Sequence, residues 1–143
     1  MIFLPDTNVW IRFLNPGHDS LKERLLAVAP LNIRFCSVVK AELFYGAMKS
    51  RQVKRNLALL SDLFSNIASF PFDDESAKQY GIIRSHLAHA GTPIGPNDLM
   101  IAAIAMVHDA VLVTHNIREF SRVPGIRIQD WEREQTITST NNP

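Results

Sequence analysis

The chain has 143 residues, 46% of them hydrophobic, which allows one domain with a real core and is too short for two comfortable ones. Fifteen Lys and Arg against 14 Asp and Glu leave a net charge of +1, so global electrostatics do not draw the protein to nucleic acid or anionic membrane, and any site for a polyanion must be local. Cys36 is the only cysteine, which excludes an internal disulfide and a cysteine-built zinc site and fits a reducing compartment. Only a few apolar residues precede Pro5-Asp6, without a basic leader, so no secretory signal is expected. The most apolar window, residues 99–107, is about half the length that spans a bilayer, and the expected location is the cytoplasm, with no membrane segment.

In chain order, short β-like runs alternate with longer helical patterns, which is the order expected of a parallel sheet carrying helices on its faces. Residues 2–4, 32–36, 67–72, 111–114 and 127–129 are the strand candidates: short, apolar and largely β-branched or aromatic. Helices are expected over 7–14, 20–29 (ended by Pro30), from a Ser37 cap to about Met48, 52–64, 74–89 and from Pro96 through the apolar window. In the fourth of these, Leu57, Leu60 and Phe64 recur at helical spacing. In the fifth, Ala77, Tyr80 or Gly81, Arg84 and Leu87 or Ala88 follow one another on successive turns, and Gly91 suits a left-handed cap. The helix from Pro96 is apolar almost all round and is expected to be central. Residues 1–133 are expected to form one domain, and the polar residues 134–143 a disordered C-terminal tail.

Three acids interrupt apolar runs where a charge is normally avoided. Asp6 follows Ile2-Phe3-Leu4, Glu42 lies between Val38-Val39 and Leu43-Phe44, and Asp98 opens the apolar window. Unpaired buried carboxylates are costly, so three of them near a core call for a compensating cation or donors. Asp6 and Thr114 end their expected strands, on the rim where open parallel sheets bind ligands, and Glu42 lies on a helix that follows another strand. Oxygen ligands without cysteine or a convincing histidine cluster suit Mg²⁺ or Mn²⁺ better than Zn²⁺. Taken singly, Asp6 and Asp98 also suit helix caps, and Glu42 a solvated position.

The segments around these acids are more specific together than any one alone. Asp6-Thr7-Asn8, the run from Ser37 to Ala47 around Glu42, Ile94-Gly95-Pro96-Asn97-Asp98 with its apolar continuation, and Leu112-Val113-Thr114-His115-Asn116 resemble, in order and spacing, the PIN-domain ribonucleases. Within that group they look like the VapC toxins of bacterial type II toxin–antitoxin pairs, and the similarity extends to Trp131. The resemblance implies an α/β, PIN-like three-layer sandwich, with a central, mostly parallel sheet of four to five short strands flanked by helices. It implies a Mg²⁺-dependent endoribonuclease, with Mn²⁺ as a substitute, that hydrolyses RNA phosphodiester bonds by metal-activated water. The metal ligands then fall on Asp6, Glu42 and Asp98. Thr7, Asn8, Thr114 and Asn116 take supporting positions; Glu119, one helical turn beyond Asn116, is a further supporting candidate by spacing and equally suits an exposed turn. The implied partners are RNA, with transfer RNA the leading substrate, a VapB-like antitoxin that covers the acidic groove, and a second copy of the chain in a homodimer. Operator DNA is reached only through the antitoxin. Asn116 departs from the pattern where many PIN domains carry a fourth acid; an amide adds no negative charge, which weakens a second metal position.

Other features are less specific. Lys49, Arg51, Lys54 and Arg55 form a local basic cluster suited to an RNA backbone, and His115 adjoins the rim; each also suits a solvated surface. His86 and His89 lack a third ligand for zinc. A receiver-like phosphoacceptor module lacks support, because no acidic pair follows the first strand and no lysine follows a late one. The remaining alternative is a catalytically weak PIN-like scaffold that binds RNA or antitoxin without cutting.

Overall fold

A computed structural model describes residues 1–133. The expected tail, 134–143, lies outside the described residues.

Five short strands run in parallel: β1 (Phe3–Pro5), β2 (Phe35–Cys36), β3 (Ser69–Phe70), β4 (Val111–Val113) and β5 (Ile128–Gln129). β4 lies between β1 and β5, with Pro5 opposite Val113 and Val113 opposite Gln129, while β2 pairs with β3. A single parallel bridge, Phe3 to Ile33, with the Arg34 amide donating to the Phe3 carbonyl at 2.9 Å, joins the two groups in the spatial order β3-β2-β1-β4-β5. The chain therefore leaves β1 toward one edge and returns to its other side as β4. That reversal between β1 and β4 is the switch point at which parallel α/β sheets open a crevice beyond their carboxyl ends.

Seven α-helices fill the intervals: α1 (Thr7–Leu14), α2 (Asp19–Ala27), α3 (Ser37–Met48), α4 (Val53–Ser65), α5 (Asp74–His89), α6 (Pro96–Val107) and α7 (Ile117–Phe120). α6 is the most enclosed, with Leu99 and every residue from Ile101 to Ala105 buried, as its all-round apolar sequence requires. Its alanines admit close neighbours, and α5 packs along it. Trp10 of α1 is fully buried and stacks on Phe35 of β2 at 4.4 Å, and Phe35 meets Phe64 of α4 edge-on at 4.8 Å. Aromatic burial of this kind tethers α1 to the sheet just after Asp6.

The structure differs from the sequence expectations in several places. Ser37 is the first residue of α3 rather than its cap: Cys36 holds the cap position, and no side chain caps that end. The buried stripe of α5 is Ser76, Ile83 and Leu87, with Tyr80 half-buried; Ala77, Gly81, Arg84 and Ala88 are exposed, because α6 selects which stripe is covered. Residues 30–32, of which Asn32 falls in a strand candidate, form a 3-10 turn, and a short helix, α7, follows β4 where no element is expected from the sequence. Gly91 does take the left-handed conformation at the end of α5 (φ 69°), and the Thr92 amide returns to the Leu87 carbonyl at 3.0 Å.

Candidate metal centre

Asp6 sits where β1 passes into α1. Its amide donates to the Val113 carbonyl at 2.9 Å, which continues the sheet ladder by one residue and places the side chain at the switch point. One carboxylate oxygen, Oδ1, caps α1 by accepting from the Val9 amide at 2.9 Å; the other, Oδ2, accepts from the Thr114 hydroxyl at 2.6 Å. Asp6 is therefore both the helix cap and the floor of the pocket. Thr114, fully buried just beyond β4, also accepts from the Asn116 amide through Oγ1 at 3.0 Å, and so fixes the turn that follows.

Glu42, one turn into α3, is half-buried and accepts from the Thr7 hydroxyl through Oε1 at 2.8 Å. Asp98 lies in the first turn of α6, behind Pro96, where the positive end of the helix dipole favours a carboxylate. Burial pushes Asp98 up to about 6, and the charges of Asp6, Glu42 and Glu119 add to the rise. The three acids from distant segments, with Glu119 beside them, thus share one electrostatic environment. Burial also raises Asp6 above the usual carboxylate range, although Thr114, the Val9 amide and Arg12 oppose the rise. The amide of Asn116 donates to Glu119 Oε2 at 3.1 Å, so the residue standing where a fourth acid was expected orients another acid.

Among the described residues, no Lys, Arg or His lies within salt-bridge distance of Asp6, Glu42 or Asp98. Clustered negative charge of this kind, without a directly paired protein cation, is suited to a hard divalent cation with oxygen ligands. A second group behaves differently. His115, Asp130 and Glu132 bring their ligand atoms within 4.8 Å of one another. Here, however, protein cations already supply the balance: Arg12 binds Glu132 through Nε at 3.2 Å and Arg133 binds Asp130 at 3.2 Å, while His115 Nδ1 lies 3.0 Å from Asp130.

Two clefts flank the acids. One, of about 190 Å³, is lined by Asp6, Asn8, Arg12, His115 and Asn116. The other is lined by Thr7, Asn8, Glu42, Tyr45, Lys49 and Asn97, so Asn8 borders both. Lys49 is thereby brought to the site. Arg51, Lys54 and Arg55 are exposed and line neither cleft. Buried Trp10 is unavailable for base stacking, whereas Tyr45 is exposed, with the Lys49 ammonium 4.9 Å from its ring centre. His86 and His89 remain exposed, and His89 bonds a carbonyl of its own helix. Sequence reasoning missed Arg12, Asp130 and Glu132. The available signal was the position of Asp130 directly after β5, beside the strand end that carries Thr114.

A family model for the PIN domain matches residues 3–126. The chain is 42% identical over 132 residues to the tRNA(fMet)-specific endonuclease VapC of Salmonella typhimurium, covering 90% of this chain and 97% of that protein. It is 37% identical over 134 residues to ribonuclease VapC2 of Rickettsia felis, covering 93% and 100%. In three dimensions it is similar to a chain of the Rickettsia felis VapBC2 complex bound to a promoter DNA fragment, with TM-score 0.85 and 36% identity over 92% of this chain and 99% of that one. It is likewise similar to a chain of DNA-bound VapBC from Salmonella typhimurium, with TM-score 0.83, 41% identity, and coverage of 92% and 98%. The chain belongs to the PIN-domain family, among its VapC-type ribonucleases.

Proposed function

We propose that the chain is the toxin of a type II toxin–antitoxin pair, an endoribonuclease dependent on Mg²⁺, with Mn²⁺ as a substitute. The observation that carries this reading is the uncompensated charge of Asp6, Glu42 and Asp98 at the switch point, with burial and mutual repulsion holding Asp98 near 6. Carboxylate oxygens in this number, without a thiolate or an aligned imidazole pair, fit Mg²⁺ or Mn²⁺. A divalent cation held there supplies Lewis-acid activation of water and neutralises charge on the phosphate and leaving oxygen.

The chain's own residues prepare the place. Thr114 and the Val9 amide fix both oxygens of Asp6, Thr7 holds Glu42, and the first turn of α6 brings Asp98 within the electrostatic reach of both. Asn116 holds Glu119, whose charge reaches Asp98, while adding no charge of its own, which favours one tightly held cation over two. Lys49 and Tyr45 border the approach from one flank, where an RNA backbone and a base find a cation and an exposed ring. The non-cutting scaffold reading leaves the clustered charge unexplained.

Initiator tRNA is the proposed substrate, supported by the name of the Salmonella typhimurium relative. The proposed partner is a VapB-like antitoxin, and operator DNA is reached through it, as the DNA-bound VapBC relatives suggest. An apolar groove lined by Ile11, Leu14, Leu43, Gly46 and Leu59, with Glu42 at its margin, suits a partner segment that ends over the acids. The described residues contain no helix long and apolar enough to cross a membrane, and we place the chain in the cytoplasm with its RNA, as a homodimer.

The test of substrate is end-mapping of total tRNA from cells expressing the chain without antitoxin. Expected is a discrete new 5′ end in initiator tRNA, absent with Asp98→Asn. Intact initiator tRNA with cleavage elsewhere overturns the substrate, and intact RNA throughout overturns the nuclease.

A further inference from the structure

Arg12 lines a cleft together with Asp6, and that placement is built from three segments. The side chain leaves α1 one and a half turns after Asp6 and borders the cleft shared with Asp6, Asn8, His115 and Asn116. Its charge is felt by Asp6. Two of its nitrogens, Nε and Nη1, engage Glu132 at 3.2 and 3.3 Å, while Nη2 makes no hydrogen bond among the described residues.

Glu132 is in turn held by the turn after β5. Its amide donates to Asp130 Oδ1 at 3.0 Å, and His115 Nδ1 lies 3.4 Å from Glu132 Oε2. Trp131 between them is buried, packs against Phe3 with ring centres 5.2 Å apart and tilted by 60°, and donates to Gln129 Oε1 at 3.0 Å, which pins the turn to the sheet. A guanidinium held along one edge by a half-buried carboxylate loses little further freedom when its other edge meets an anion.

A strand of RNA crossing the acidic centre must bring several phosphates past it. Lys49 stands in the cleft on one flank, Arg12 in the cleft on the other, and Asn8 borders both. We propose that Arg12, positioned by Glu132, binds a non-scissile phosphate of the RNA strand beside the Asp6 end of the centre. This assignment rests on the ribonuclease reading and deepens it. Arg12 sets the path of the strand, and Glu132 is a positioning residue that touches no substrate.

The test measures equilibrium binding of an unmodified initiator tRNA transcript across a range of salt concentrations, with full chains carrying Asp98→Asn to prevent cutting. Adding Arg12→Gln is expected to weaken binding about tenfold near physiological salt and to flatten the plot of log affinity against log salt by about 0.7, the value of one lost contact to a single strand. Arg12→Lys, which keeps the charge, is expected to keep the slope while losing part of the affinity to its single point of contact. In cleavage with Asp98 intact, Arg12→Gln raises KM and leaves kcat within about threefold, the pattern of a lost binding contact.

An unchanged salt slope for Arg12→Gln overturns the proposal and makes the residue a brace for Glu132. So does a variant that binds RNA normally but loses antitoxin binding, since the cleft then serves the partner protein. Should Arg12→Gln fail to fold, phenylglyoxal labelling of Arg12 in the unmutated chain decides: bound tRNA protects it several-fold if the proposal holds, and equal labelling overturns it. Cleavage by the unmutated chain with an unchanged slope for the variant overturns the Arg12 assignment alone, whereas neither binding nor cleavage by any form overturns the ribonuclease reading beneath it.

Discussion

Asp6 and Asp98 are both disfavoured as anions, but their surroundings divide the work differently. Asp6 accepts from a hydroxyl and a backbone amide, so its charge is solvated by the protein itself. Asp98 is raised by burial and then by three neighbouring carboxylates, and it has no hydrogen-bond donor comparable to those that hold Asp6. Folding therefore favours the protonated form of Asp98. In metal-free protein, its unfavourable contribution is absent at about pH 4 or below, develops as pH rises toward 6, and is complete above it. Replacement with an uncharged isostere removes that contribution. Asp98→Asn is expected to stabilise the metal-free protein by about 1–2 kcal/mol at pH 7.5, after allowance for partial solvent exposure, and by almost nothing near pH 4. Denaturant melts in EDTA at the two pH values measure this double difference, and an equal effect at both would remove the electrostatic explanation. Saturating Mg²⁺ should stabilise wild type and not the variant, because only the former gains the missing counter-charge.

At the level of elements, α6 connects packing to chemistry. It is buried nearly all round, it presents Asp98 in its first turn, and its alanines at 102, 103 and 105 leave no room for larger side chains. Ala103→Leu is expected to cost about 1–3 kcal/mol by overpacking, and to reduce Mg²⁺ affinity because the helix that carries Asp98 must shift. A denaturant melt and a Mg²⁺ titration check both parts, and unchanged values for both would show that α6 is not confined as described. The existence of α6 was legible in the sequence, since an apolar run behind Pro96 has few other solutions, and the amphipathic stripe of α4 on Leu57, Leu60 and Phe64 was legible for the same reason. The buried face of α5 was not, because its sequence offers competing stripes and contact with α6 decides between them. α7 spans only Ile117–Phe120, too few residues for any periodicity to register. The three acids stood out because each interrupts an apolar run. Their supports did not, because Thr7 meets Glu42 across 35 residues and Arg12 meets Glu132 across 120, and no local pattern encodes such pairs.

Across the whole molecule, the order β3-β2-β1-β4-β5 makes the site possible. Strands from the two ends of the chain become neighbours, so Asp6 and Thr114, 108 residues apart, share a hydrogen bond of 2.6 Å at the switch point. α3, which follows β2, and α6, which precedes β4, then bring Glu42 and Asp98 within electrostatic reach of Asp6. The net charge of +1 conceals this local concentration of acid, and the flanking clefts place Lys49 on one side and Arg12 on the other. On the proposed function, a divalent cation would complete the balance, and the RNA strand would cross the surface between those two residues. The most direct measurement of this account is cleavage of initiator tRNA by the purified chain, freed of antitoxin, beside an Asp6→Asn, Asp98→Asn double variant purified identically. The unmutated chain should cut in Mg²⁺ or Mn²⁺, stop in EDTA and resume when metal is restored, and the double variant should lose at least about a hundredfold in rate, as expected when metal activation is removed. Equal cleavage by the double variant, or cleavage that persists in EDTA, would contradict the assignment of the acids as the metal centre.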